Sequence, residues 1–146
     1  MPTPAIYYYE QFITNIGVNN VNLVSDDFKM ILVDGYVYDS TDDELSDVVA
    51  FEIASGNGYT SGGKSLTNIT LGYDAANSRT RWDADDLTWN ATGGLIGPAT
   101  GGIIYSSTST GDKLIGYWDF DDSVSAGDGT DLKVTFNADG LAYINV

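Results

Sequence analysis

Apolar residues recur along this chain in short runs divided by glycine and aspartate, a spacing that predicts many short strands rather than long helices. The run Phe28-Lys29-Met30-Ile31-Leu32-Val33 is apolar almost without a break. It suits a strand covered on both faces. Ahead of it, Ile6, Tyr9, Phe12, Ile13 and Ile16 recur at intervals of three and four, which fits one apolar helical face. This spacing predicts a short helix over residues 5–15, ended by Gly17. Tyr7, Tyr8 and Tyr9 are poor helix formers, so an extended arm is the alternative for residues 1–20. Residues 39–47 read as an acidic loop with a helical turn around 43–47, residues 48–54 as a further strand, and residues 55–64, which hold four glycines, as a sharply turning loop.

The remainder reads as antiparallel strands. Ile69, Leu71 and Tyr73 alternate onto one face, residues 75–78 turn, and residues 79–82 return. A polar break at 83–86 precedes Leu87-Thr88-Trp89. Beyond the glycine-rich residues 93–102, Ile103-Ile104-Tyr105 and residues 113–120 predict two more strands. Leu132, Val134 and Phe136 share one face, Asp139-Gly140 supplies a turn, and residues 141–146 are expected to close a terminal hairpin. The expected fold is mainly β: one antiparallel β-sandwich or barrel-like domain spanning residues 1–146, with a short N-terminal helix or arm.

Composition sharpens this picture. At 146 residues and 42% apolar content the chain is large enough to bury a core. It has no cysteine, which removes disulfides and thiol chemistry, and no histidine, which removes the usual general base and the commonest metal ligand. Six Lys and Arg against 21 Asp and Glu give a net charge of -15, which disfavours nucleic acid and anionic membrane as partners. No apolar run has the length to cross a bilayer, and residues 1–20 lack the basic start of a signal peptide. Synthesis in the cytoplasm, with the chain beginning near Met1, is therefore expected.

Candidate chemistry reduces to loops. The acidic groups Asp83/Asp85/Asp86, Asp119/Asp121/Asp122 and Asp128/Asp131 all fall in apparent turns, where aspartate bonds nearby amides. Nothing in the sequence pairs them across a cleft as a glycosidase requires. Asp83-Ala84-Asp85 and Asp119-Phe120-Asp121 begin a calcium-loop alternation, but Thr88 and Val124 stand where its glycine belongs. The segment from Gly56 to Ser65 lacks phosphate-loop spacing, since Gly63 occupies the lysine position. Trp82, Trp89 and Trp118 are expected in a core or an interface rather than a sugar-stacking platform. The sequons at Asn68 and Asn90 carry no weight without a secretory signal. No catalytic residue, metal ligand or cofactor is expected.

Several segments nevertheless form an ordered set. Ser25-Asp26-Asp27-Phe28-Lys29-Met30-Ile31-Leu32-Val33, the element Gly56-Asn57-Gly58-Tyr59-Thr60-Ser61-Gly62-Gly63-Lys64-Ser65-Leu66, the acidic stretch before Leu87-Thr88-Trp89, the run Leu114-Ile115-Gly116-Tyr117-Trp118-Asp119-Phe120 and the closing strand with Gly140 follow in this order. Together they resemble small bacteriophage virion structural proteins, from about Tyr7 onward. The resemblance implies a non-enzymatic particle component, and a capsid decoration (cement) protein on the outer shell is the expected role. A tail- or fibre-associated protein is the alternative within that class, and a carbohydrate-binding module the alternative from another. The expected partner is the major capsid protein or another virion protein, with self-association into a homo-oligomer, a trimer by preference. Many relatives have a more helical and charged N-terminus. This chain begins Pro2-Thr3-Pro4-Ala5-Ile6-Tyr7-Tyr8-Tyr9, uncharged before Glu10, so Ile6, Tyr7, Tyr8 and Tyr9 are the candidate partner interface.

Overall fold

The structure is a computed structural model that describes residues 5–146. In chain order its elements are β1 (Ala5–Tyr8), α1 (Phe12–Gly17), β2 (Phe28–Val33), α2 (Leu45–Val48), β3 (Lys64–Ser65), β4 (Thr70–Asp74), β5 (Arg79–Asp83), β6 (Leu87–Asn90), β7 (Ile96–Ser106), β8 (Leu114–Ala126), β9 (Asp131–Val134) and β10 (Ala142–Asn145). The protein is mainly β, and all strand pairs are antiparallel. A five-stranded sheet in the order β1-β8-β7-β2-β3 accompanies a three-stranded sheet, β10-β5-β4, and the pair β6-β9.

The five-stranded sheet is covered on both faces, as the unbroken apolar run of β2 predicts. Phe28, Met30 and Leu32 enter the larger core, where they meet Trp82, Leu87, Trp89, Trp118 and Leu132 from all three sheets. Ile31 and Val33 point the other way, into a smaller core with Tyr9, Tyr36, Val48, Ile103, Tyr105 and Tyr117. In β8, Ile104 opposes Gly116 while Tyr105 opposes Leu114, so Ile115 is an extra residue that resets the alternation. Leu114 and Ile115 consequently enter opposite cores.

The glycine-rich loop before β3 is held by one carboxylate. Glu52 accepts hydrogen bonds from the Tyr59 hydroxyl at 2.7 Å, the Ser61 hydroxyl at 3.2 Å and the Gly62 N–H at 2.7 Å. Gly63 takes φ +83°, and a Cβ there would lie 2.0 Å from the Met30 carbonyl oxygen, so the loop passes against β2 only as glycine.

Three sequence expectations need correction. Residues 5–15 do not form one helix: Ala5–Tyr8 is a strand, and helix begins at Phe12. The β-favouring tyrosines lie along β8, whose edge would otherwise be open (Ile6 opposite Trp118, Tyr7 opposite Tyr117). The N-terminal segment is thus no free arm from Ala5 onward, and residues 1–4 of it lie outside the described residues. Residues 48–54 are not a strand either. Val49–Phe51 is a 3-10 turn, and only the end of β2 is bridged, with Ile53 N–H donating to the Leu32 carbonyl at 3.0 Å. On that edge of β2, β3 takes Lys29 and Met30, which leaves residues 52 and 53 only Leu32 and Val33 to bridge. The last two strands do not form a hairpin. β9 pairs with β6 and β10 with β5, so the predicted turn, closed by Gly140 N–H to the Asn137 carbonyl at 2.8 Å, joins two different sheets.

Candidate functional site

α1 faces the three-stranded sheet across a groove of about 480 Å3. Register places Leu71, Trp82 and Ala142 in one row and Tyr73, Thr80 and Ile144 in the next, all on one side of that sheet. Trp82 is buried and forms part of the floor, fixed by its indole N–H donating to the Leu23 carbonyl at 3.1 Å. Phe12, Ile13 and Ile16 come from α1, and Tyr8 and Tyr9 from the segment before it. No charged side chain lines this groove. Around it, Ile13, Tyr73 and Ile144 are 63–66% exposed, so the apolar face continues outward uncovered. The outer edges of β4 and β10 are unpaired among the described residues.

The predicted interface residues are divided by this arrangement. Ile6 is half-buried against the larger core. Tyr7 is 44% exposed and packs against Tyr38 and Tyr117, with ring centroids 5.3 and 6.4 Å away. Tyr8 is 41% exposed, stacks on Phe12 and donates its hydroxyl to the Leu141 carbonyl. Burial, then the nearby Tyr143, raises its pKa. Tyr9 is spent inside the molecule: it is 2% exposed and its hydroxyl donates to Tyr36 at 3.1 Å. Burial, then that hydrogen bond, holds Tyr9 far above the usual tyrosine range. Tyr36 in turn donates to Asp42 at 2.7 Å and is pushed up to about 12, chiefly by burial.

Of the acidic groups expected in turns, Asp85, Asp86 and Asp128 are in loops, whereas Asp83, Asp119, Asp121, Asp122 and Asp131 lie within β5, β8 and β9, because those strands run longer than the apolar pattern suggests. Asp85 accepts from Asn68 at 2.5 Å, Asp86 from the Phe136 N–H at 2.9 Å, Asp128 from the Gly93 N–H at 2.8 Å and Asp131 from Asn90 at 2.7 Å. The side-chain nitrogens of both sequons are thereby engaged within the chain. Among the described residues no three acidic groups converge as a metal site would require. Trp82, Trp89 and Trp118 are all buried and present no indole platform. The cations are largely neutralised at home: Arg79 by Asp74 and Asp139, Arg81 by Asp83, Lys113 by Asp43 and Glu44, Lys133 by Asp86.

The groove residues Ile13, Leu71, Tyr143 and Ile144 were not singled out as a site in the sequence. The one signal was the alternation of Ile69, Leu71 and Tyr73, whose shared face would be expected in the core. In the fold Leu71 and Tyr73 do share the side of the buried Trp82, but on the edge strand β4, where the core ends, they are 45% and 63% open. Comparison with known proteins gives no matching family model, no similar curated protein and no similar solved structure.

Proposed function

We propose that this chain is a non-enzymatic bacteriophage structural protein, a capsid decoration protein that docks on the outer shell through the groove between α1 and the three-stranded sheet. One observation carries the reading: an uncharged, apolar, partly open groove in a chain of net charge -15. Covering the exposed Ile13 and Ile144 there contributes up to about 1.5–3 kcal/mol each, while the acidic surface elsewhere stays in water. The occupant is an apolar segment of the major capsid protein or another virion protein, matched to the uncharged lining of the groove. Self-association into a trimer belongs to the same proposal and uses the free edges of β4 or β10. A protein that binds only the assembled lattice stabilises it by mass action. The phage assignment is supported by the resemblance of the ordered sequence elements.

The test is co-sedimentation with undecorated shells of the phage whose genome carries the chain, using wild type, Ile13→Asp and Ile144→Asp. Both substituted positions are about two-thirds exposed, so the fold should survive, with melting temperatures close to wild type. Wild type should sediment with shells and both variants should stay in the supernatant. Full binding by the variants, or none by wild type, refutes the reading.

A further inference from the structure

A second concavity, of about 330 Å3, lies on the other side of the molecule's main sheet, walled by Tyr36, Val37, Thr100, Tyr117, Asp119 and Asp122. Tyr117 sets it apart. Five tyrosines are buried, and four of their hydroxyls are hydrogen-bonded: Tyr9 to Tyr36, Tyr36 to Asp42, Tyr59 to Glu52 and Tyr105 to the Gly62 carbonyl. Tyr117, only 4% exposed, has no partner for its hydroxyl among the described residues, and it lines this pocket. Its ring lies across Gly101, where a Cβ would meet Cε2 at 2.3 Å, so the backbone was kept bare for the ring to take this position. Burial, then the charge of Asp119, pushes Tyr117 up to about 12, which keeps the hydroxyl protonated.

Three carboxylates, Asp119, Asp121 and Asp122, line the wall beside the Ser123 and Thr100 hydroxyls. Among the described residues, Asp119 uses Oδ1 for the Asp121 N–H at 2.9 Å and Oδ2 for none, and Asp122 uses Oδ1 for the Ser123 N–H at 2.7 Å and its other oxygen for none. Thr100 is occupied, accepting from the Gly35 N–H at 3.1 Å and donating to the Val33 carbonyl at 3.5 Å. No lysine or arginine lines the pocket. A neutral sugar would leave the charge of the three carboxylates unanswered. A metal ion needs converging oxygens, and no such group occurs among the described residues. What remains is a cation whose several spread donors match separate carboxylates, since the Tyr36 and Tyr117 rings are themselves buried.

We propose that this pocket receives the guanidinium of an arginine side chain presented by a partner protein, its N–H groups on Asp119, Asp122 and the Tyr117 oxygen. The Tyr36 and Tyr117 rings meet edge to face at 5.1 Å, and Tyr7 stacks on Tyr117 from β1, so the wall is rigid before the ligand arrives. The inference stands apart from the apolar groove and holds whether or not that groove docks on a shell.

The test is an NMR titration of the full chain with Nα-acetyl-arginine methylamide, beside its neutral citrulline counterpart, methyl β-glucoside and calcium chloride. The arginine probe should shift the amides of Thr100, Asp119 and Ser123 selectively, with citrulline about tenfold weaker because the charge-assisted bonds are lost. Tyr117→Phe, which keeps the ring, and Asp122→Asn, at an exposed position, should each weaken the arginine probe by about threefold or more, without loss of amide dispersion. Equal shifts with arginine and citrulline, shifts spread over every acidic loop, or a stronger response to the glucoside or calcium would each overturn the proposal.

Discussion

The Tyr59 hydroxyl donates to Glu52 at 2.7 Å and at the same time accepts the Leu32 backbone N–H at 3.1 Å. One side chain thus ties the glycine-rich loop to the most buried strand of the sheet. Tyr59→Phe removes both bonds and leaves the Leu32 N–H buried without a partner, at a cost of about 1–3 kcal/mol. Glu52→Gln retains an acceptor and should cost less. Urea unfolding of the two variants checks the order, through midpoint shifts at constant m-value.

The same burial makes the protein sensitive to base. Tyr9 and Tyr59 are held above the ordinary tyrosine range, first by desolvation and then by their hydrogen bonds. Their folded pKa values exceed the unfolded value of about 10, so their contribution is complete below that pH and is lost as pH rises beyond it. Unfolding should therefore set in above roughly pH 10, with tyrosinate absorbance and loss of the far-UV β signal appearing together. Complete tyrosinate formation in a chain that stays folded would count against the burial.

The N-terminal segment separates packing from contact. Removing residues 2–9 strips β1 from the edge of β8 and takes Tyr9 from the smaller core, so the melt should fall steeply rather than stay unchanged as for a free arm. Tyr9→Ala alone should cost about 3–5 kcal/mol, the range for a large buried aromatic. Tyr7→Ser, at a position 44% exposed, should cost much less. Thermal and urea melts of the three variants decide it.

That segment also shows what the sequence could reveal. Local pattern was enough for β2, for the turn at Ser78 and for the shared burial of Leu132, Val134 and Phe136, because alternation is written in neighbouring residues. Pairing was not. Whether Leu132 lies beside Trp89 or beside the last strand depends on chain segments far apart, and β6 took the place expected of β10. The i, i+3, i+4 spacing from Ile6 to Ile16 was real, but the open edge of β8 claimed its first half. The groove was invisible for the same reason: Ile13, Leu71 and Ile144 come from three segments that only the fold brings together.

Acid should weaken the region around α2. Asp47 accepts N–H bonds from Asp43 and Glu44, both at 3.0 Å, and these, ahead of the nearby Lys113, lower its pKa. A lowered folded pKa contributes stability that is present above the unfolded value of about 3.9 and is lost as pH falls through the folded one. Asp47→Asn should lower stability at pH 7 and flatten this part of the acid limb. The group is almost fully exposed, so the effect should be small and should shrink further in salt. Urea midpoints measured between pH 2.5 and 7 for both proteins test the sign.

Two glycines should respond to alanine with opposite signs. A Cβ at Gly101 would stand 2.3 Å from Tyr117 Cε2 and 2.8 Å from the Trp118 carbonyl oxygen. Neither neighbour can yield cheaply, since Tyr117 is packed in the smaller core and the carbonyl belongs to β8, the strand paired with Gly101. Gly101→Ala should therefore destabilise by about 1–3 kcal/mol or more, the range for overpacked cores. Gly17 ends α1 with nothing within 4 Å of its Cβ position and no positive φ. Gly17→Ala there should stabilise by up to about 1 kcal/mol, because it removes freedom from the unfolded chain without a clash. Paired urea melts give the answer directly: a neutral Gly101→Ala would mean that Tyr117 does not lie across the strand, and a destabilising Gly17→Ala that α1 does not end as described.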